Sequence, residues 1–292
     1  MTMRGYYIVV AAVLVFGFAA ISSGASAPSV DSSGVPAAAS APAPAGPPAP
    51  LTRQGQDKLS PQQRQAVQAL GAAPALFTEN KGQWDASIRY AIIGRAVNVA
   101  LMDSAIKFQL VKPRIESTDA KNPVRDVLTF TLAFEGAKTV TPKGVDEAVS
   151  KIRFYRGSDP KKWQNGVSTF KSAVYENLYD GVTLNVFPRP AGVKYEFHLS
   201  PGTPVDRVVM KYDGIDGLSI DSTGSLHIKT AFGDLVDSAP TAWQEADGKR
   251  TDVKVKFRMA GEKAYGFEAV GAVDAALPVV IDPAIKLEEH AE

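Results

Sequence analysis

The chain has 292 residues, 45% of them hydrophobic and 22% charged, and its 32 basic and 31 acidic residues leave a formal net charge of +1. So small a charge supplies no long-range field toward nucleic acid or anionic lipid, and nucleic acid is not an expected partner. With no cysteine in the chain, disulfides, thiolate metal sites, thiol nucleophiles and a lipidated cysteine anchor are excluded.

The N-terminus has the order of a secretory signal. Arg4 precedes an apolar run from Gly5 to Ile21, and Ser23-Gly24-Ala25 or Ala25-Ser26-Ala27 offers a small-residue cleavage site. Residues 1–25 are therefore expected to be a signal peptide, or an N-terminal anchor where uncleaved, and the rest of the chain is expected outside the cytoplasm: periplasmic, extracellular or on the cell surface. Membrane contact is expected only through an uncleaved N-terminal segment. Residues 26–58 are dominated by Ala, Pro, Ser and Gly. Such a tract buries too little side chain to offset its ordering entropy and reads as a disordered linker. Ser60 as N-cap, Pro61 at the first helical position and Gln63 predict one short N-terminal helix over 59–74, with Ala66, Val67 and Leu70 as a weak apolar face and Gly71 and Pro74 at its end.

From Phe77 to Pro283 the hydrophobic period becomes two. Leu128–Leu132, Val193–Leu199 and Val253–Met259 alternate apolar and polar residues at every step, as do the shorter Ile106–Leu110 and Leu226–Lys229. Alternation of this kind gives each strand one buried and one wet face, the pattern of antiparallel sheets. Pro188–Gly192, Asp221–Gly224 and Asp247–Lys249 carry hairpin-turn chemistry. The expected fold is all-β and mainly antiparallel, a two-sheet sandwich-like domain over 75–283 with a tail at 284–292.

Ordered motifs run through this region. Phe77-Thr78-Glu79-Asn80-Lys81-Gly82-Gln83-Trp84 opens it. Phe154–Trp163, Tyr175–Val182, Lys194–Phe197 with Pro201-Gly202, Pro240–Glu245 with Asp247-Gly248, and Val280–Pro283 follow. Together they resemble the secreted, β-rich domain of unknown function that precedes SBBP-type β-propeller repeats in bacterial cell-surface proteins. The resemblance implies export and a surface setting, and it brings no known activity. In longer relatives the segment like Val280–Pro283 leads into the repeats. Here nine residues follow Pro283, so a free-standing module or a remnant is expected.

The ligand-binding candidates are polar and aromatic residues of these motifs: Glu79, Asn80, Trp84, Asp159, Trp163 and Trp243. For the opening motif a structural role comes first. Phe77 and Trp84 are expected to pack under the sheet edge while Glu79 and Asn80 close the turn, because buried aromatics are most often core. His198, His227 and His290 fit no zinc spacing, and no nucleophile elbow or phosphate loop is present. No metal, cofactor or catalytic residue is expected.

Carboxylates are the remaining catalytic stock, with Glu79, Asp85, Asp159, Asp180, Glu196 and Asp282 in or beside the motifs, but nothing in the sequence positions a pair. Tyr212–Asp221 has the wrong spacing for a calcium loop and predicts turns flanking a short strand. Lys249, Arg250, Lys254, Lys256 and Arg258 form a basic stripe that reads first as a solvated face guarding an edge. The expected function is an exported, non-catalytic surface or periplasmic module binding a polysaccharide or an envelope protein. A carboxylate-dependent polysaccharide-active enzyme is the second reading, and a structural spacer the third.

Overall fold

The structure, a computed structural model, describes residues 7–9, 74–94, 96–113, 124–155, 158–190 and 192–286. Most of the expected leader, the linker and the helix expected at 59–74 lie outside the described residues. Three residues of the segment expected to be a leader, β1 (Tyr7–Val9), run parallel to Lys151–Arg153. No helix among the described residues is long and apolar enough to cross a membrane.

The first half of the sheet contains β2 (Phe77–Glu79), β3 (Ile88–Ile93), β4 (Val97–Met102), β5 (Ala105–Pro113), β6 (Arg125–Phe134), β7 (Lys143–Phe154), β8 (Gln164–Tyr179) and β9 (Val182–Arg189). The second contains β10 (Gly192–Leu199), β11 (Val209–Asp213), β12 (Gly217–Ile220), β13 (Leu226–Thr230), β14 (Gly233–Ala246), β15 (Lys249–Val253), β16 (Val255–Met259), β17 (Ala264–Ala269) and β18 (Val279–Lys286). Apart from the β1–β7 pair, every ladder among the described residues is antiparallel. The chain adopts the all-β, antiparallel class that its alternation predicts.

Hydrogen bonding runs through one sheet. From β17 it passes through β11, β6, β5, β4, β3, β2, β8, β9, β10 and β18 to β14. At the far side β16 comes against β12 and β14, so the sheet nearly closes on itself like a barrel. The ladders alone therefore do not divide it into two layers. One cluster fills the interior, with Phe77, Leu132, Tyr175, Leu184, Tyr195, Phe197, Tyr265 and Phe267 withdrawn from water. The burial of β10 alternates as its sequence does, with Val193, Tyr195, Phe197 and Leu199 buried and Lys194, Glu196 and His198 turned outward.

All three expected turns join hairpins, between β9 and β10, β12 and β13, and β14 and β15. At the last, Asp247 and Gly248 both have positive φ, 53° and 74°, which matches the right-handed twist of the strands it joins. The run Val253–Met259 is less simple than its pattern. Residues up to Val253 pair with β14 and those from Val255 pair with β17, so the chain changes partner at Lys254.

Candidate functional site

The opening motif ties its own loop together. Phe77 enters the main core with no exposed surface, and Thr78 pairs with both Ala91 and Thr169. The Asn80 amide then organises the loop. Its Nδ2 donates to the carbonyls of Asp85 and Ile88, both at 2.8 Å, and reaches that of Trp84 at 3.4 Å. Its Oδ1 accepts from the backbone N–H of Gly82 at 3.0 Å and of Trp84 at 3.2 Å. Gln83 adds a second clasp, accepting from Lys81 N at 2.7 Å and donating to the Glu79 carbonyl. Gly82 has φ of +101°, a conformation that an L side chain rarely adopts. The closing amide is that of Gln83 where the sequence suggested the Glu79 side chain, which instead pairs with Lys81 at 3.2 Å.

Trp84 packs on the face of the sheet away from the main core. Ala91 and Ala100 alternate with core-facing Ile92, Val99 and Leu101, and with Ile88 they form a small outer cluster that Trp84 and Ile93 cover. The indole also meets the Phe154 ring edge-on, with centroids 5.4 Å apart.

Beside this loop opens a cleft of about 430 Å³ whose lining includes Glu79, Asn80, Trp84, Arg89, Tyr90 and Thr141. Arg89 holds Asp103 through both Nε, at 2.8 Å, and Nη2, at 2.7 Å. That guanidinium, with help from Thr141, keeps the Asp103 carboxyl below its ordinary pKa despite partial burial. The Tyr90 hydroxyl accepts from Gly144 N at 2.8 Å, its ring meets Phe170 edge-on at 5.6 Å, and burial pushes its pKa up. Two aromatic side chains, Trp84 and Tyr90, stand in its walls, and its charged groups, Glu79 and Arg89, are held by partners. Such a combination can hold a ring against an indole or phenol face while orienting hydroxyl groups.

Asp159 and Trp163 lie close to this corner. Asp159 caps the short 3₁₀ turn Pro160–Lys162, accepting from Lys161 N at 3.0 Å. Trp163 leans edge-on against Tyr155, with centroids 5.1 Å apart. Consecutive residues at the end of β7 thus carry both aromatic pairs, Phe154 holding Trp84 and Tyr155 holding Trp163. Gln164, next in the chain, comes within 3.8 Å of where a side chain at Gly82 would begin. Trp243 stands apart, on β14, with β18, β10 and β9 between it and β8. The Arg250 guanidinium lies 3.7 Å above its ring.

Two carboxylates that sequence reasoning could not pair come together elsewhere. In the β10–β18 register, Phe197 opposite Ile281 and His198 opposite Val280 set Glu196 beside Asp282. Lys194 bridges them, with Nζ 2.8 Å from Glu196 and 2.9 Å from Asp282. Burial works against the lysine's charge, but the hydrogen bonds to both carboxylates raise its pKa overall. His198 Nε2 stands 3.4 Å from Glu196 without making a hydrogen bond. Asp221 serves its own turn, accepting from Thr223 N at 2.8 Å and Ser225 N at 3.0 Å and pairing with His227 at 2.9 Å. The Thr223 hydroxyl also donates to Asp221, at 2.7 Å, and this bond, followed by the one to His227, holds the carboxyl well below the usual range.

Neither a curated protein nor a solved structure matches the chain. A family model does, over residues 77–284, which take in the opening motif, the cleft, every strand from β2 to β17 and most of β18. The chain belongs to the family described as Domain of unknown function (DUF7948).

Proposed function

We propose that the chain is an exported, non-catalytic surface or periplasmic module that binds glycan in the cleft beside Trp84. One observation carries this reading: Glu79, Asn80 and Trp84, nominated from the sequence, line one cleft with Tyr90 and Arg89. The leader supports export, and the motif resemblance supports a place beside SBBP-type repeats in longer surface proteins. A single apolar cluster filling so many-stranded a sheet favours a flattened, sandwich-like cross-section, because a round barrel of this size would leave an open lumen.

The enzyme reading is weaker, since Lys194 neutralises the carboxylate pair that a hydrolase would need free. A loop tied together by the Asn80 and Gln83 amides suits binding, because less ordering entropy remains to be lost.

The test is a thermal-shift and tryptophan-fluorescence titration of the protein against polysaccharides and peptidoglycan fragments. A ligand at 100 times its Kd adds about 2.7 kcal/mol of stability. A shift with one glycan class that disappears in Trp84→Phe supports the reading. An unmoved transition across the panel sinks it and turns the search to envelope proteins.

A further inference from the structure

A second cleft, of about 400 Å³, opens where the β10–β11 and β17–β18 connections meet. It lies beyond the far end of β8 from the Trp84 corner. The β8–β9 turn touches its wall, with Ser200 N donating to the Gly181 carbonyl at 2.8 Å and Thr203 adjoining the same carbonyl at 3.5 Å. The floor is apolar. Val205 and Val279 are buried, and Ala269, Val273 and Leu277 complete the surface.

The wall over the floor is pre-formed. Gln244, itself buried, donates from Nε2 to the carbonyls of Asp274 at 2.7 Å and Leu277 at 3.1 Å. Its Oε1 accepts from Asp274 N at 3.0 Å. Asp274 also accepts from Ala276 N at 2.9 Å. The segment that shapes the cleft is therefore held in place without a ligand.

The charges at the opening are of one sign. Asp206, Glu268 and Asp274 line it, and no Lys, Arg or His among the described residues does. Glu268 is answered from outside by Lys256 at 3.3 Å, with both side chains about half exposed. An occupant must therefore bring an apolar body for the floor and positive charge for the rim. Carboxylates spread around one opening match several cations spaced along a chain better than a single ammonium group.

We propose that this cleft is a docking site for a cationic peptide segment of a partner protein, an apolar side chain flanked by lysine or arginine. Rim charges of this kind steer encounter and select the partner, while the apolar floor supplies contact area. The site is separate from the glycan cleft and stands whether or not that reading does.

The experiment is fluorescence anisotropy of the full chain with three labelled pentapeptides: Lys-Leu-Lys-Val-Lys, Lys-Gly-Lys-Ser-Lys and Glu-Leu-Glu-Val-Glu. The first alone should bind, and binding should weaken as salt is added. Asp206→Lys, at an exposed rim position, should weaken it roughly fivefold, the swing of one reversed surface charge. Glu268→Gln should weaken it less, and Trp84→Phe should leave it unchanged. Equal binding of the polar cationic peptide, equal competition by spermine, an unaffected Asp206→Lys variant, or no binding of the first peptide would each overturn the proposal.

Discussion

Tyr195 donates its hydroxyl to Oδ2 of Asp237 across 3.0 Å, inside the sheet, where neither residue has exposed surface. Tyr195 comes from β10, and the Tyr265 hydroxyl of β17 lies 2.9 Å from its own. Tyr212 of β11 stacks on Tyr265, and Asp282 of β18 acts on Asp237 as a like charge. Oδ1 of Asp237 is buried with no hydrogen-bond partner. Burial raises the Asp237 pKa to about 7, with Tyr195 opposing the shift and Asp282 adding to it.

The sign of the resulting pH dependence follows from that direction. Between about pH 4, the unfolded value, and about 7, the folded state keeps a proton that the unfolded state has lost. Unfolding free energy should fall as pH rises through that window, by at most ~1.4 kcal/mol per unit, and level off above it. Urea unfolding at stepped pH should show this slope in the native chain and a flatter one in Asp237→Asn. Identical slopes would show that Asp237 titrates normally.

Asn80 offers a sharper test of the opening loop. Asn80→Ala removes both sides of the amide network and should cost about 2 kcal/mol, or roughly 4–8 °C in Tm for a domain of this size. Asn80→Asp should do no better, because a carboxylate cannot donate to the carbonyls of Asp85 and Ile88. An aspartate variant as stable as the native chain would mean that the Oδ1 bonds alone hold the loop.

Strand content was largely legible in the sequence, because alternation is a local property. The apolar–polar run Val193–Leu199 lies within β10 with the expected faces, and Ile106–Leu110 and Leu128–Leu132 lie within β5 and β6. The same alternation concealed the change of partner at Lys254, since both pairings keep the same faces. It also placed Glu196 on the wet side without revealing that Asp282, far along the chain, would sit opposite. Partner choice is set by long-range register, which no local period encodes. The cleft was half legible. Glu79, Asn80 and Trp84 came with the motif, while Arg89, Tyr90 and Thr141 were brought in by the fold.

Trp243 gives a spectroscopic prediction. With Arg250 stacked at 3.7 Å, one ring face is covered. In a Trp84→Phe, Trp163→Phe background, Arg250→Ala should red-shift Trp243 emission and make it easier to quench with acrylamide. The stability loss should stay below ~1 kcal/mol, as expected of a cation–π contact at a half-exposed site. Unchanged quenching would mean that Arg250 does not cover the ring in solution.

The Lys194 bridge should behave as a partly buried charge network. Lys194→Met keeps the stem and removes the ammonium, leaving Glu196 and Asp282 side by side with 18% and 19% of their side chains exposed. Two carboxylates so placed cannot both stay ionised without cost. The variant should lose about 1–3 kcal/mol at pH 7, between the values for exposed and fully buried pairs. Acidification to pH 4.5 should recover part of the loss, because protonating one carboxyl relieves the repulsion and lets it donate to the other. Urea midpoints of both proteins at the two pH values decide the matter. A deficit equal at both would mean that Lys194 acts through the packing of its methylenes and not through its charge.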